Sequence, residues 1–390
     1  MLEVGREEVD NIAEVLASGL PFRYRAGSAC GRFEERWAEH LGVRHVMLTS
    51  SGTTALVAAL AGLGVGPGDE VIVPAHTFMA TAVAALGVGA IPVIVDIDES
   101  LTLSPDALEA AIGPRTRVVI PVHMWGLPGD MDAILSIARR RGLLVVEDAC
   151  QGVGGGYHGR MLGSLGDAGA FSFNYYKNMT AGEGGAVVTN DDHVAEVARC
   201  MVDSARFFWT GRSEDMAPFA AIGARASEIQ GAMLNAQLDR LPGLLAGLRA
   251  RKERIMSATA GVAGLAANPR HSPDDECATY LHYLLPTARA AEVFADGTGG
   301  TIAARTGRHN YTEWDPILGH RAGHHPRLNP YLWPENEGCR KDYSLDMCAP
   351  SLAILSRTVM ITAKTAWTDD DVETLIERIS AAAHAALSAA

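Results

Sequence analysis

Residues 143–148, Leu143-Leu144-Val145-Val146-Glu147-Asp148, form an apolar, β-branched run that ends on a carboxylate. A run apolar on both faces reads as a strand buried on both sides, which is the condition of a parallel sheet covered by helices. Similar runs lie at 46–49, 70–73, 92–95, 117–122, 168–173 and 186–189, and helical stretches such as 131–141 and 194–201 mostly alternate with them. The alternation predicts an α/β fold with a mainly parallel seven-stranded sheet. Beyond Glu228 the pattern changes to a long helical stretch carrying Leu234, Leu238, Leu241 and Leu245. The expected division is therefore an N-terminal helix and large domain over 1–245, and a small α+β domain over 246–390. Val9, Ile12, Ala13 and Leu16 recur at helical spacing before Gly19, which predicts the N-terminal helix and its apolar stripe.

In open α/β sheets ligands bind at the carboxyl ends of the strands, where Asp148 falls. Downstream, Phe171-Ser172-Phe173-Asn174-Tyr175-Tyr176-Lys177 places an amine after an apolar strand and before the loop Thr180-Ala181-Gly182-Glu183-Gly184-Gly185. Glycines there let backbone approach a ligand closely. A lysine so placed suits covalent attachment to pyridoxal phosphate, and Asp148 suits a partner that keeps the cofactor's ring nitrogen protonated by charge pairing. Ser51-Gly52-Thr53-Thr54 turns a short strand into an alanine- and leucine-rich helix, whose first amides favour a phosphate. Gly52 and Thr53 would offer those amides and Ser172 a hydroxyl. A plain helix cap explains the same tripeptide, and Asp148 alone would read as a cap as well. Phe78, in Pro74-Ala75-His76-Thr77-Phe78, could stack on the cofactor ring or serve as core.

In this order the pieces resemble the DegT/DnrJ/EryC1/StrS family of sugar and cyclitol aminotransferases, a branch of the fold-type-I pyridoxal phosphate enzymes. The resemblance covers nearly the whole chain and is densest from Val145 to Asn190, through Glu147-Asp148-Ala149-Cys150-Gln151 and Gly163-Ser164-Leu165-Gly166-Asp167. It implies that Lys177 is the Schiff-base lysine, Asp148 the partner of the ring nitrogen and Gln151 a hydrogen-bond partner of the ring hydroxyl. It also implies that Gly52, Thr53 and Ser172 hold the phosphate and that Phe78 stacks on the ring. The implied reaction moves an amino group from glutamate or glutamine to a ketone on a sugar, sugar nucleotide or cyclitol, in a homodimer with a shared site, within bacterial specialised metabolism. Two branches fit, the 8-amino-Kdo-type transaminases and the aminocyclitol and 3-amino-5-hydroxybenzoate synthase group. Dehydrating relatives carry histidine at the lysine position, so Lys177 favours transamination over dehydration. The retained lysine, aspartate, glutamine and serine argue against a silent partner subunit.

One departure stands out. Where the family writes Asn-x-Arg-x-x-Glu, this chain has Gly223-Ala224-Arg225-Ala226-Ser227-Glu228. His76, Arg225 and His309 are candidate substrate contacts, and the polar, aromatic stretch from Arg308 to Pro326 is expected to be a substrate-facing loop. Its histidines lack a recognisable metal-ligand spacing, so no metal is expected.

A formal charge of −13 speaks against nonspecific nucleic-acid binding, which needs clustered cations. The six cysteines are scattered without close pairs, as in reduced cytoplasmic proteins. Neither an export signal after Met1 nor an apolar run long enough to cross a bilayer is seen, and a cytoplasmic protein is expected. No Gly-x-Gly-x-x-Gly follows the first strand, which removes the dinucleotide fold as a competitor.

Overall fold

The computed structural model of the chain describes residues 4–213 and 216–388. Its large sheet is built from β1 (His45–Thr49), β2 (Glu70–Pro74), β3 (Ile91–Val95), β4 (Thr116–Val119), β5 (Leu144–Asp148), β8 (Ala168–Ser172) and β9 (Gly185–Thr189). Between β5 and β8 lies a two-stranded hairpin of β6 (Gly156–Tyr157) and β7 (Arg160–Met161). The large sheet has the order β1-β9-β8-β5-β4-β2-β3. Its strands run parallel except β9, which is antiparallel to both of its neighbours. The seven strands of the sequence reading all form, and the fold is α/β as expected.

Alternate residues of a strand face opposite sides, and here both sides are covered. Val119, Val145 and Phe171 join a cluster with Phe33 and Trp37 on one face. Val118, Val146 and Ala170 join Leu56 and Ile94 on the other. The smaller sheet is antiparallel, with the order β10 (Ala266–Ala267), β11 (Tyr280–Leu284), β13 (Thr358–Thr362) and β12 (Thr301–Ile302). Against it pack the helices Ala288–Thr298 and Asp369–Ser388, in a third cluster around Tyr283, Phe294 and Ile379. A helix of 32 residues, Glu228–Thr259, joins the two regions: Leu234 to Leu245 belong to the first cluster, and Ile255 and Met256 to the third.

The N-terminal helix, Arg6–Ala17, forms but turns a different face inward than its apolar spacing suggests. Val15 is buried, while Val9 and Leu16 are exposed. The reason is Glu8, which is drawn inside by a hydrogen bond from Gln237 Nε2 (2.6 Å) and by Arg240. The polar anchor sets the rotation of the helix, leaving an apolar edge in solvent.

The family-like stretch 163–167 is explained by structure as well as by chemistry. Glu147 is fully buried, and its carboxylate accepts from the amides of Gly163 (2.9 Å), Leu165 (2.6 Å) and Gly166 (2.8 Å). It also accepts from His123 Nε2 at 3.0 Å. The Gly129 amide donates to His123 Nδ1 (3.2 Å), which fixes the tautomer with its proton on Nε2. This knot holds the turn beside the end of β5 and so sets where Asp148 points. Glu147→Gln would face an amide group toward donors that need an acceptor. A loss of about 2–4 kcal/mol is expected, read from the midpoint of urea unfolding; an unchanged midpoint would mean that the knot carries no stability.

Candidate active site

Three chain ends meet at the carboxyl edge of the large sheet. β5 delivers Asp148, β8 delivers Ser172, and the helix Gly52–Gly62 begins just after β1. The helix comes close because residue 52 has no side chain: a Cβ there would lie 2.8 Å from both Cys150 Sγ and Ser172 Cβ. Of the first helical amides, Ser51 takes two, with Oγ accepting from Thr54 (3.2 Å) and the carbonyl from Ala55 (3.0 Å). Among the described residues no acceptor faces the amides of Gly52 and Thr53, and no partner meets the Ser172 hydroxyl. That leaves a cluster of unclaimed polar hydrogens at the positive end of a helix dipole, which suits a phosphate.

Asp148 is only 5% exposed. Thr81 Oγ1 donates to its Oδ2 (2.8 Å), and the Cys150 amide donates to its Oδ1 (3.1 Å). Both oxygens are thus oriented, and none of these donors is a cation that would use up the charge. Lys177 follows β8 and is half-buried. Burial is the largest influence on its ammonium and pushes the pKa below the ordinary lysine value. Cys150 and Asp148 act the other way, and Arg308 adds to the lowering.

Lys177 opens onto a cavity of about 270 Å³, lined also by Phe78, Gln151, Asn174 and His309. Phe78 is 48% exposed, with its ring edge-on to His309 at 6.2 Å. Burial, helped by His76, Arg308 and Lys177, pushes His309 down to about 3, so its imidazole is neutral at any working pH. The remaining wall contains Trp125, Tyr176, Asn178, Thr279, Tyr280 and Arg308. The sequence reading assigned no role in the site to any of these but Arg308. Arg308 is the exception in kind, since it opened the stretch read as substrate-facing; its guanidinium lies 4.9 Å above the Tyr176 ring.

Two expected substrate contacts do not reach this wall. His76 is 1% exposed, its Nδ1 donates to the Leu101 carbonyl (3.0 Å), and burial pushes it down to about 4. Arg225 pairs with Asp203 (3.1 Å), which also accepts from the Tyr24 hydroxyl (2.6 Å). The neighbouring Glu228 accepts from the amides of Ala29 (2.7 Å) and Cys30 (3.0 Å), capping the helix Ala29–Leu41. Gly223 has φ +85°, a conformation that disfavours a side chain and accounts for glycine at that point. Of the stretch from Arg308 to Pro326, only the first two residues line the cavity. Farther on, His320 bonds the Lys341 carbonyl (2.7 Å) and stands 4.6 Å from the ring of Tyr331.

The model of the DegT/DnrJ/EryC1/StrS aminotransferase family matches residues 3–305. GDP-perosamine synthase of Caulobacter vibrioides is 43% identical over 238 residues, 59% of this chain and 61% of that protein, so less than two thirds of the relative is spanned. The dTDP-3-amino-3,4,6-trideoxy-alpha-D-glucose transaminase of Streptomyces venezuelae is 39% identical over 74% of both chains. The crystal structure of 3-amino-5-hydroxybenzoic acid synthase superposes with a TM-score of 0.81 at 28% identity, covering 98% of this chain and 97% of that one. Matched across most of its length in sequence and nearly all of it in fold, the chain belongs to the DegT/DnrJ/EryC1/StrS aminotransferase family.

Proposed function

We propose that this chain is a pyridoxal-phosphate-dependent aminotransferase that moves an amino group from glutamate or glutamine to a ketone on a sugar, sugar nucleotide or cyclitol. The observation that carries the reading is the meeting of Lys177, Asp148 and the unclaimed amides of Gly52 and Thr53 at one sheet edge. Their chemistry matches the three polar ends of the cofactor. The helix amides and Ser172 would hold the phosphate, Asp148 would pair with the ring nitrogen, Gln151 would meet the ring hydroxyl, and Phe78 would cover the ring face. When bound, pyridoxal phosphate draws the electrons of a breaking C–H bond into its ring. Lys177 Nζ would hold the cofactor through its aldehyde carbon, with loss of water, and, when the nitrogen of an amino donor takes that place, the freed amine would take a proton from the donor's α-carbon. In the second half-reaction the same nitrogen returns a proton to the acceptor's carbon, as general acid. Only a neutral amine can take the first proton, and the burial that depresses the Lys177 ammonium favours that state.

The sugar acceptor is supported by the relatives named as a perosamine synthase and a dTDP-sugar transaminase. A cyclitol or other carbocyclic acceptor is supported by L-glutamine:2-deoxy-scyllo-inosose aminotransferase of Streptoalloteichus tenebrarius, 38% identical over 71% of this chain. The division at 245/246 into a cofactor-binding part and a smaller part is consistent with the separate apolar clusters. A homodimer with a shared site is supported by the exposed Val9 and Leu16 and by the exposed rings of Phe78, Tyr175 and Tyr176. A cytoplasmic location is supported by six free cysteines. Among the described residues, no helix is long and apolar enough to cross a membrane.

The test is spectroscopic. Protein reconstituted with pyridoxal phosphate should lose its visible absorption on adding glutamate or glutamine and regain it on adding a ring ketone. Borohydride should trap the cofactor on the peptide containing Lys177. No response to either donor, with no cofactor on that peptide, would refute the assignment. Light scattering on the active protein should report a dimer.

A further inference from the structure

Among the described residues that line the cavity, Arg308 is the only arginine and none is an aspartate or glutamate. The Tyr176 ring attracts the charge of this guanidinium but offers no oxygen to accept its N–H groups. Arg308 is exposed, and no described residue meets it through an ion pair or a hydrogen bond. Other guanidiniums of the chain are taken up by carboxylates: Arg225 by Asp203, Arg270 by Glu276 and Arg340 by Glu70. In a chain of formal charge −13, the wall around Lys177 thus keeps a permanent cation and no carboxylate to neutralise it.

Two neighbouring groups on the wall are also unspent. The Tyr280 hydroxyl makes no hydrogen bond among the described residues, and burial raises its pKa, so it stays protonated and able to donate. His309 Nδ1 is buried without a partner. The charge of Arg308 is felt across the cavity, since it lowers the pKa of both Lys177 and His309. A guanidinium and a phenol that share a wall with the reacting amine, neither of them paired, make a place for an oxyanion.

We propose that Arg308 binds a carboxylate of the amino donor. The proposal rests on the aminotransferase reading. Every amino acid donor brings a carboxylate on the carbon that Lys177 must deprotonate, and the keto acid product carries it away again. A guanidinium can meet a carboxylate with two parallel N–H bonds, which fixes orientation as well as affinity. The diphosphate of a sugar nucleotide is the other anion that this chemistry suits. It is separated from the ketone carbon by part of the sugar ring, whereas the donor's carboxylate is one bond from the reacting carbon and so closer to the amine that Arg308 influences.

Wild type, Arg308→Gln and Arg308→Lys can be compared with pyridoxal phosphate bound. Glutamate and glutamine serve as donors, dTDP-4-keto-6-deoxyglucose as the phosphate-bearing ketone, and glutarate as a ligand that has carboxylates but no amine. Arg308→Gln should lower kcat/KM for the donor that wild type uses faster by roughly 10- to 100-fold, mainly through KM. Glutarate binding, measured by calorimetry, should weaken by a similar factor, and Arg308→Lys should recover part of both losses. A loss on both donors assigns the carboxylate on the reacting carbon; a loss on glutamate alone assigns the distal one. An unchanged midpoint of thermal unfolding reports an intact fold. A fall in kcat with KM and glutarate affinity unchanged would mean that the guanidinium only tunes Lys177, and overturns the proposal. No loss on either donor overturns it too, as does a loss confined to the dTDP-linked ketone, which would make Arg308 a phosphate contact. A wild type inert to glutamate and glutamine would instead refute the aminotransferase reading.

Discussion

Lys177→Ala is expected to bind pyridoxal phosphate without covalent attachment and to lose turnover by at least about 10³-fold, the upper range for removing a positioned acid–base group. Truncation should not collapse the loop, because its anchors lie elsewhere. Asn178 Nδ2 donates to the Val153 carbonyl (2.7 Å), Met179 is fully buried, and the Lys177 amide donates to the Asn174 carbonyl (3.1 Å). The proposed phosphate cradle consists of Gly52, Thr53 and Ser172, none of which touches position 177 through a hydrogen bond. Binding and chemistry should therefore separate. Cofactor affinity, measured by fluorescence titration, should fall modestly, while the donor half-reaction in stopped flow should nearly vanish. A small primary amine added to the buffer should restore part of the rate, since a neutral base is what the variant lacks. A wild-type rate without added amine would place the base elsewhere and remove the central step of the mechanism.

The parts of this site that could be read in advance are those held by local geometry. β-branched runs announced the seven strands, and a carboxylate or hydroxyl at the end of such a run must fall on the carboxyl edge of the sheet, as Asp148 and Ser172 do. The amides of Gly52 and Thr53 follow from a helix start whose cap, Ser51, can satisfy only some of its donors. The far wall was not legible. Trp125, Thr279 and Tyr280 come from a short turn and the entry to β11, and neither segment carries a periodic or motif signal. They meet only because the antiparallel sheet docks on the large one. The same limit applies to single side chains. His76 precedes Phe78 by two residues, yet one packs behind Trp125 while the other sits at the cavity mouth. Arg225 pairs with Asp203, 22 residues away in the chain, and keeps its side chain half exposed. In the N-terminal helix, a buried Glu8 outweighed the apolar stripe, because a paired buried carboxylate tolerates less displacement than a valine does.

Asp148→Asn isolates charge from shape. Asparagine can keep its oxygen toward the Cys150 amide and turn its nitrogen to the Thr81 hydroxyl, which can accept as readily as donate. Thr81 also has Thr77 Oγ1 at 2.8 Å and the Phe78 carbonyl at 3.1 Å as alternative partners, so its hydroxyl can rotate at little cost. The pocket should therefore hold its form, and thermal unfolding of the cofactor-free protein should shift little. What disappears is the negative charge proposed to keep a ring nitrogen protonated at a carboxylate only 5% exposed, where such a charge acts strongly. The donor half-reaction should slow by about 10²–10³-fold, equivalent to roughly 3–4 kcal/mol of barrier. Removal of the α-hydrogen should become the slow step. Deuterium at that carbon gives the decisive reading: the isotope effect on the donor half-reaction should be larger in the variant than in wild type. If rate and isotope effect both stay at wild-type values, the carboxylate is serving as a structural cap at the end of β5, and the protonating group must be sought elsewhere in the site.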